Sequence, residues 1–111
     1  MEKYNQIVYV YRDGEIITMT YKELVREYAD QTTSPRGVMP RIHMRENEHG
    51  QYEVWTWGIL GQNPKKLFVF DNEVEAELCI YNTYEADLLN DCNMPLFDFS
   101  KKELQNSINF L

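Results

Sequence analysis

The chain lacks long apolar runs and has few of the residues that build covalent or metal-linked scaffolds. Its 111 residues include two cysteines and two histidines. A membrane-spanning helix needs about 20 consecutive apolar residues, and no stretch approaches that length. The first residues also contain no apolar segment of the kind found in secretory signals. We therefore expect a cytoplasmic protein with no membrane contact, in which Cys79 and Cys92 are reduced and unpaired.

The sequence also lacks the local motifs of common enzymes and metal sites. It contains no Gly-x-Ser-x-Gly nucleophile motif, no phosphate-binding glycine loop and no acidic calcium loop. His43, His49, Cys79 and Cys92 do not occur at the short spacings that let the local backbone aim two ligands at one zinc ion. We therefore assign no catalytic or metal-binding residue and expect no cofactor.

Apolar residues are abundant and make up 43% of the chain, and aromatic residues make up 14%. Disordered chains lack this much apolar content, so the composition predicts a folded protein. A length of 111 residues is typical of one domain, and we expect residues 1–111 to form a single domain.

Negative charge is concentrated in one segment, residues 67–100, which contains no Lys or Arg. The rest of the chain is nearly balanced, so this segment accounts for the formal net charge of −7. An acidic protein is repelled by nucleic-acid backbones and attracted to basic protein surfaces. The eight carboxylates of the segment are Asp71, Glu73, Glu75, Glu77, Glu85, Asp87, Asp91 and Asp98.

Two stretches predict β-hairpins. Residues 5–20 hold two runs of β-branched and aromatic side chains separated by Asp13-Gly14, a pair typical of a tight type I′ turn. Residues 41–60 hold a second pair of runs, separated by a polar turn that ends at Gly50.

Helix-capping patterns predict where three helices begin. Thr20 with Glu23 opens an amphipathic helix that ends near residue 30. Residues 67–70 indicate a short buried strand, and Asn72 with Glu75 opens a long acidic helix over residues 72–90. Ser100 opens a last helix after a short strand at residues 96–99.

These elements predict an α+β fold, in which two antiparallel β-hairpins form a small sheet packed by an amphipathic helix and a long acidic helix. The periodicity of the apolar residues also predicts which side chains are buried. The expected core consists of Ile7, Tyr9, Ile17, Leu24, Val25, Tyr28, Ile42, Met44, Trp55, Trp57, Phe68, Phe70, Leu78, Tyr81, Leu88, Phe97 and Phe99.

The acidic helix is the candidate binding element. Like charges four residues apart repel by a few tenths of a kcal/mol per pair, and no Lys or Arg in the segment relieves them. The expected partner-binding residues are Glu73, Glu75, Glu77, Glu85, Asp87 and Asp91. A secondary basic patch is expected at Arg36, Arg41, His43 and Arg45.

Our main hypothesis is a non-enzymatic protein whose acidic helix engages a basic partner protein, as an inhibitor or modulator of a nucleic-acid-binding protein. Direct nucleic-acid binding is disfavoured by the net charge. One alternative is a self-associating structural subunit, in which the basic residues of one copy meet the acidic helix of the next. The other is an uncharacterised small enzyme or metal-binding protein.

Overall fold

A computed structural model of the protein describes residues 2–33, 42–56 and 63–111, with the side chains of residues 31–33 left out of the description. After a short 3-10 turn at Lys3–Asn5, the elements in chain order are β1 (Ile7–Arg12), β2 (Glu15–Thr20), α1 (Tyr21–Thr33), β3 (Ile42–Glu46), β4 (Tyr52–Thr56), β5 (Lys65–Phe70), α2 (Glu73–Leu89), β6 (Phe97–Asp98) and α3 (Lys101–Ile108). This content confirms the α+β class. None of the three described α-helices is long and apolar enough to cross a membrane.

The first hairpin joins β1 to β2 through the predicted turn. Asp13 and Gly14 both have positive φ angles, of 53° and 82°, as a type I′ turn requires. The two strands pair antiparallel over their whole length, with Val10 opposite Ile17. The short strand β6 adds to the free edge of β1, which gives the strand order β2-β1-β6.

The second hairpin, β3 and β4, belongs to a separate sheet with the order β3-β4-β5. The two hairpins therefore do not share the single small sheet that we expected. An isolated hairpin is marginally stable, and each hairpin here gains a third strand from the C-terminal half of the chain. The register between β4 and β5 shifts between Val54 and Trp55, which marks a β-bulge.

All three predicted helix caps are present. The backbone N–H of Glu23 donates to Thr20 Oγ1 over 3.1 Å, and the Thr20 hydroxyl donates back to the Glu23 carboxylate. Asn72 accepts from the N–H of Glu75 at the start of α2, over 2.8 Å. Ser100 caps α3 in the same way. Each bond satisfies a backbone donor that the first helical turn leaves open.

The central strand of the first sheet buries the face opposite to the one that we predicted. Val8 and Val10 are fully buried, whereas Ile7 is 51% exposed and Tyr9 is half-buried. Both faces of β1 are apolar, so the two-residue period does not say which face meets the core. The smaller valines lie inside.

In β4, too, the buried face is opposite to the one that we predicted. Val54 is fully buried and Trp55 lies half-buried on the opposite face of the strand. Trp57 lies outside the described residues. Of the other predicted core residues, five are buried, namely Leu24, Val25, Ile42, Tyr81 and Leu88. Six are partly buried against that core, namely Ile17, Tyr28, Met44, Phe70, Leu78 and Phe97, and two are exposed, namely Phe68 and Phe99.

Helix α2 joins the two halves of the molecule, because it packs on α1 and on all three strands of the second sheet. Its buried stripe consists of Ala76, Ile80, Tyr81, Tyr84 and Leu88. Val74 is 61% exposed, and Leu78, which belongs to the predicted core, is only partly buried. The stripe is therefore rotated from the predicted one, and this rotation decides where the acidic side chains point.

Candidate protein-binding surface

The six acidic residues predicted to bind a partner do not share one face of α2. Glu77 and Glu85 pair with lysines from other elements, Lys22 at 2.9 Å and Lys3 at 2.7 Å. Our premise that nothing relieves the helix charges was wrong, because the lysines come from outside the acidic segment. These two acids flank the buried stripe and tie α2 to the N-terminal half of the chain.

Asp91 is likewise engaged within the molecule. The Tyr28 hydroxyl donates to its carboxylate over 2.5 Å, and the backbone N–H of Asn93 donates to the same group. These hydrogen bonds, that of Tyr28 foremost, lower the pKa of Asp91. The same contact raises the pKa of Tyr28 to about 12.

Glu73, Glu75 and Asp87 are the remaining predicted acids. Glu73 and Glu75 lie exposed in the first turn of α2, where the helix dipole favours negative charge. Asp87 lies near the other end of the helix and is half-buried. Glu75 and Asp87 both line one groove, and they are twelve residues apart, which is about 18 Å along a helix.

That groove lies between α2 and β5 and has a volume of about 680 Å³. Its lining is mainly apolar, while Glu75 and Asp87 place a carboxylate toward each end. The other groove residues include Phe68 and Phe70 from β5 and Leu78, Cys79, Asn82 and Ala86 from α2. Between Glu75 and Asp87, the residues of α2 that line the groove are all uncharged.

Strand β5, which we predicted to be buried, is exposed. Leu67 is 40%, Phe68 53% and Val69 43% exposed. The strand lies at the edge of its sheet, and within the described residues only β4 pairs with it. An apolar run on both faces is typical of a strand covered on both sides. Here Phe68 is exposed on the face that lines the groove, and Leu67 and Val69 are exposed on the other face.

The basic patch is only partly described, since Arg36 and Arg41 lie outside the described residues. His43 and Arg45 lie on the face of β3 opposite to Ile42 and Met44. The Arg45 guanidinium stands 4.5 Å from the centre of the Trp55 ring, and its Nε donates to His43 Nε2 over 2.9 Å. Burial, and then the charge of Arg45, lower the pKa of His43. Arg45 and Trp55 therefore form a cation–aromatic contact, and neither residue lines the groove.

The described residues offer little to metal or thiol chemistry. No three His, Cys, Asp or Glu side chains among residues 2–33, 42–56 and 63–111 lie close enough together to hold a metal ion. Cys79 and Cys92 are both free thiols. Burial raises the pKa of Cys79, which disfavours the reactive thiolate.

Sequence reasoning missed the groove and the exposed edge of β5. One signal could have indicated them: Lys65 and Lys66 precede the apolar run directly, and lysines are common on exposed edge strands.

No protein-family model, no curated protein and no solved structure matches this chain. We therefore infer the function from the geometry of the groove and of β5.

Proposed function

We propose that this chain is a non-enzymatic binding protein that holds a basic partner protein in the groove between α2 and β5. The observation that supports this most is that Phe68, which is 53% exposed, lines an apolar groove together with Phe70 and Leu78. Contiguous exposed apolar surface on a soluble domain marks an interaction site more often than not, because exposing it to water is costly.

The charges of the groove select the chemistry of the partner. Glu75 and Asp87 stand toward its two ends, about 18 Å apart along α2, and the protein as a whole carries −7. A matching segment would present apolar side chains to Phe68 and Leu78 and a Lys or Arg to each carboxylate. Such complementarity speeds association and excludes acidic competitors.

A nucleic-acid-binding protein is the concrete partner class in this proposal. Its binding surface already carries the Lys and Arg side chains that neutralise phosphates. A protein with spaced carboxylates beside an apolar groove would cover such a surface and compete with nucleic acid for it. The chain would then act as an inhibitor or modulator of that partner.

The test is capture from a nuclease-treated lysate of the native host by the immobilised protein, with elution by a salt step. Nuclease removes nucleic acid that could bridge two proteins. The salt step is expected to elute one basic protein from the immobilised wild type. It is expected to elute none from the double variant Glu75→Lys, Asp87→Lys, because that variant should capture no partner. Affinity for that purified protein should fall at least about tenfold.

A matched control has the same change in charge away from the groove. Glu46→Lys with Glu48→Lys alters two exposed acids at the β3–β4 hairpin and should retain the partner. Equal loss in both double variants would mean that net charge alone attracts the partner. Equal binding in the groove variant and the wild type would contradict the proposal.

A further inference from the structure

We propose that β5 pairs antiparallel with β5 of a second copy of this chain, joining two three-stranded sheets into one of six strands. This inference goes beyond the proposed function, because it needs no foreign partner. The starting point is that β5 is an edge strand whose outer side meets no strand among the described residues. Its backbone N–H and C=O groups on that side are a template for a further strand.

The charges at the two ends of β5 identify the second copy as the occupant. The strand begins with Lys65 and Lys66, and Asp71 follows its last residue. Antiparallel pairing of two identical strands brings the lysine end of each to the acidic end of the other. Parallel pairing would set the lysines of the two copies side by side, where they repel.

Symmetry fixes the register. Two antiparallel strands related by a two-fold axis have one residue opposite its own copy. With Phe68 at that position, Leu67 lies opposite Val69 of the second copy and Lys65 lies opposite Asp71. Moving the centre to Val69 sets Leu67 opposite Asp71, and moving it to Leu67 sets Lys65 opposite Val69. Either shift separates Lys65 from Asp71 and removes the charge pair.

The structure leaves the charged ends available for this contact. Lys65 is exposed and has no ion-pair partner among the described residues, whereas Lys66 lies 3.7 Å from Glu53 of β4. Asp71 is exposed and, within the part of the chain that the structure describes, accepts a hydrogen bond from Gln51. The bulge in the β4–β5 ladder and the two lysines limit which other strands can add here.

The two-fold axis stands perpendicular to the joined sheet, so both α2 helices lie on the same face. The two grooves then adjoin across the β5 pair, and Phe68 of each copy lies between them. Short strands bury little area, so we expect an association that is weak and depends on protein concentration.

The test is sedimentation equilibrium of the wild type, Lys65→Glu and Asp71→Lys from micromolar to millimolar concentration. The wild type should approach twice the mass of the chain. Each variant alone places two like charges opposite each other, so its association constant should fall about tenfold or more. Lys102→Glu and Glu48→Lys change exposed charges elsewhere and should associate as the wild type does.

The decisive measurement is an equal mixture of Lys65→Glu and Asp71→Lys. In the mixed dimer both contacts are attractive again, so the mass should return to that of the wild-type dimer. A wild type that stays monomeric, or a mixture that stays as dissociated as its components, would overturn the inference. Lys65→Glu keeps Glu75 and Asp87, so loss of the dimer with retained partner binding separates this inference from the proposed function.

Discussion

The two sheets of this protein each contain one strongly apolar strand, and these two strands differ in how far they are buried. In the first sheet β1 is central, with β2 on one side and β6 on the other, and its Val8 and Val10 are fully buried. In the second sheet β5 lies at the edge, and its Val69 is 43% exposed. Composition is similar in the two strands, so position in the sheet decides burial.

This difference in burial separates residues that stabilise the fold from residues that can contact another chain. Apolar residues on β1 hold the fold together, because every one of their methyl groups inside the core is removed from water. On β5, Leu67, Phe68 and Val69 stay 40–53% exposed to solvent, which is the arrangement expected where another chain binds. The same substitution made once in β1 and once in β5 can test whether stability and association depend on different strands.

The largest expected effect comes from a buried carboxylate on the central strand. Val10→Asp places an uncompensated charge in a fully buried position, at a cost of several kcal/mol, which is comparable to the whole stability of a small domain. We expect this variant to be unfolded at neutral pH. Circular dichroism and urea titration would show the loss of the cooperative transition.

Val69→Asp is the same substitution on the edge strand. Val69 is 43% exposed but lies opposite Glu53, so the free energy of unfolding should fall by about 1–2 kcal/mol at low protein concentration, without loss of the folded state. Association between copies should nevertheless be lost, since Val69 would face Leu67 of the second copy. If Val69→Asp unfolded as Val10→Asp does, β5 would be part of the core.

A smaller effect should distinguish how the two halves are tied to α2. The Tyr84 hydroxyl donates to the backbone C=O of Ile42 over 3.1 Å at a buried junction with β3. The Tyr4 hydroxyl donates to Asn82 Oδ1 over 2.6 Å, and Asn82 is exposed to solvent. Removing the first bond leaves a buried acceptor open, whereas water can replace the second.

Tyr84→Phe should therefore lower the free energy of unfolding by about 1–2 kcal/mol and Tyr4→Phe by about 0.5–1 kcal/mol. Both variants keep the aromatic ring, so the packing of the core is unchanged in each. Urea denaturation at pH 7 measures the two values. Equal losses would show that water is excluded from the Tyr4–Asn82 hydrogen bond as fully as from the Tyr84–Ile42 hydrogen bond.

The local elements of this fold could be predicted from the sequence, because short-range chemistry determines them. The Asp13-Gly14 turn and the caps at Thr20, Asn72 and Ser100 each depend on one or two neighbouring residues. Strand order depends on pairing between distant segments, which no local pattern records. The division into two sheets was therefore not predictable in this way.

The candidate surface could be predicted less well, for two physical reasons. The apolar run in residues 67–70 fits both a buried strand and an exposed binding edge, and only the strand order tells them apart. The charges of α2 are relieved by Lys3 and Lys22, which lie far away in the sequence. Segment composition alone therefore overstated how negative the outer face of α2 is.

The smallest expected effect concerns Asp91 and depends on pH. Hydrogen bonding from Tyr28 lowers the pKa of this carboxyl below its ordinary value of 3.8, so the charged form is favoured in the folded state. The resulting stabilisation is present above pH 4 and is lost as the pH falls through the lowered pKa of the folded state. Tyr28→Phe removes the donor and should be less stable than the wild type at pH 7, with a difference that shrinks below pH 4.

The alkaline side gives an independent check of the same contact, because the pKa of Tyr28 is raised from 10.0 to about 12. A raised pKa stabilises the folded protein below pH 10, and that contribution is lost as the pH rises toward 12. Urea midpoints of the wild type and Tyr28→Phe should therefore differ most between pH 5 and pH 9 and converge at both extremes. Tyr9→Phe is the control, since the described structure gives the Tyr9 hydroxyl no hydrogen bond. A pH-independent difference for Tyr28→Phe would mean that the Tyr28 hydroxyl acts through packing or through its hydrogen bond to the backbone C=O of Asp87, and that the Asp91 carboxylate does not help to anchor the C-terminal end of α2.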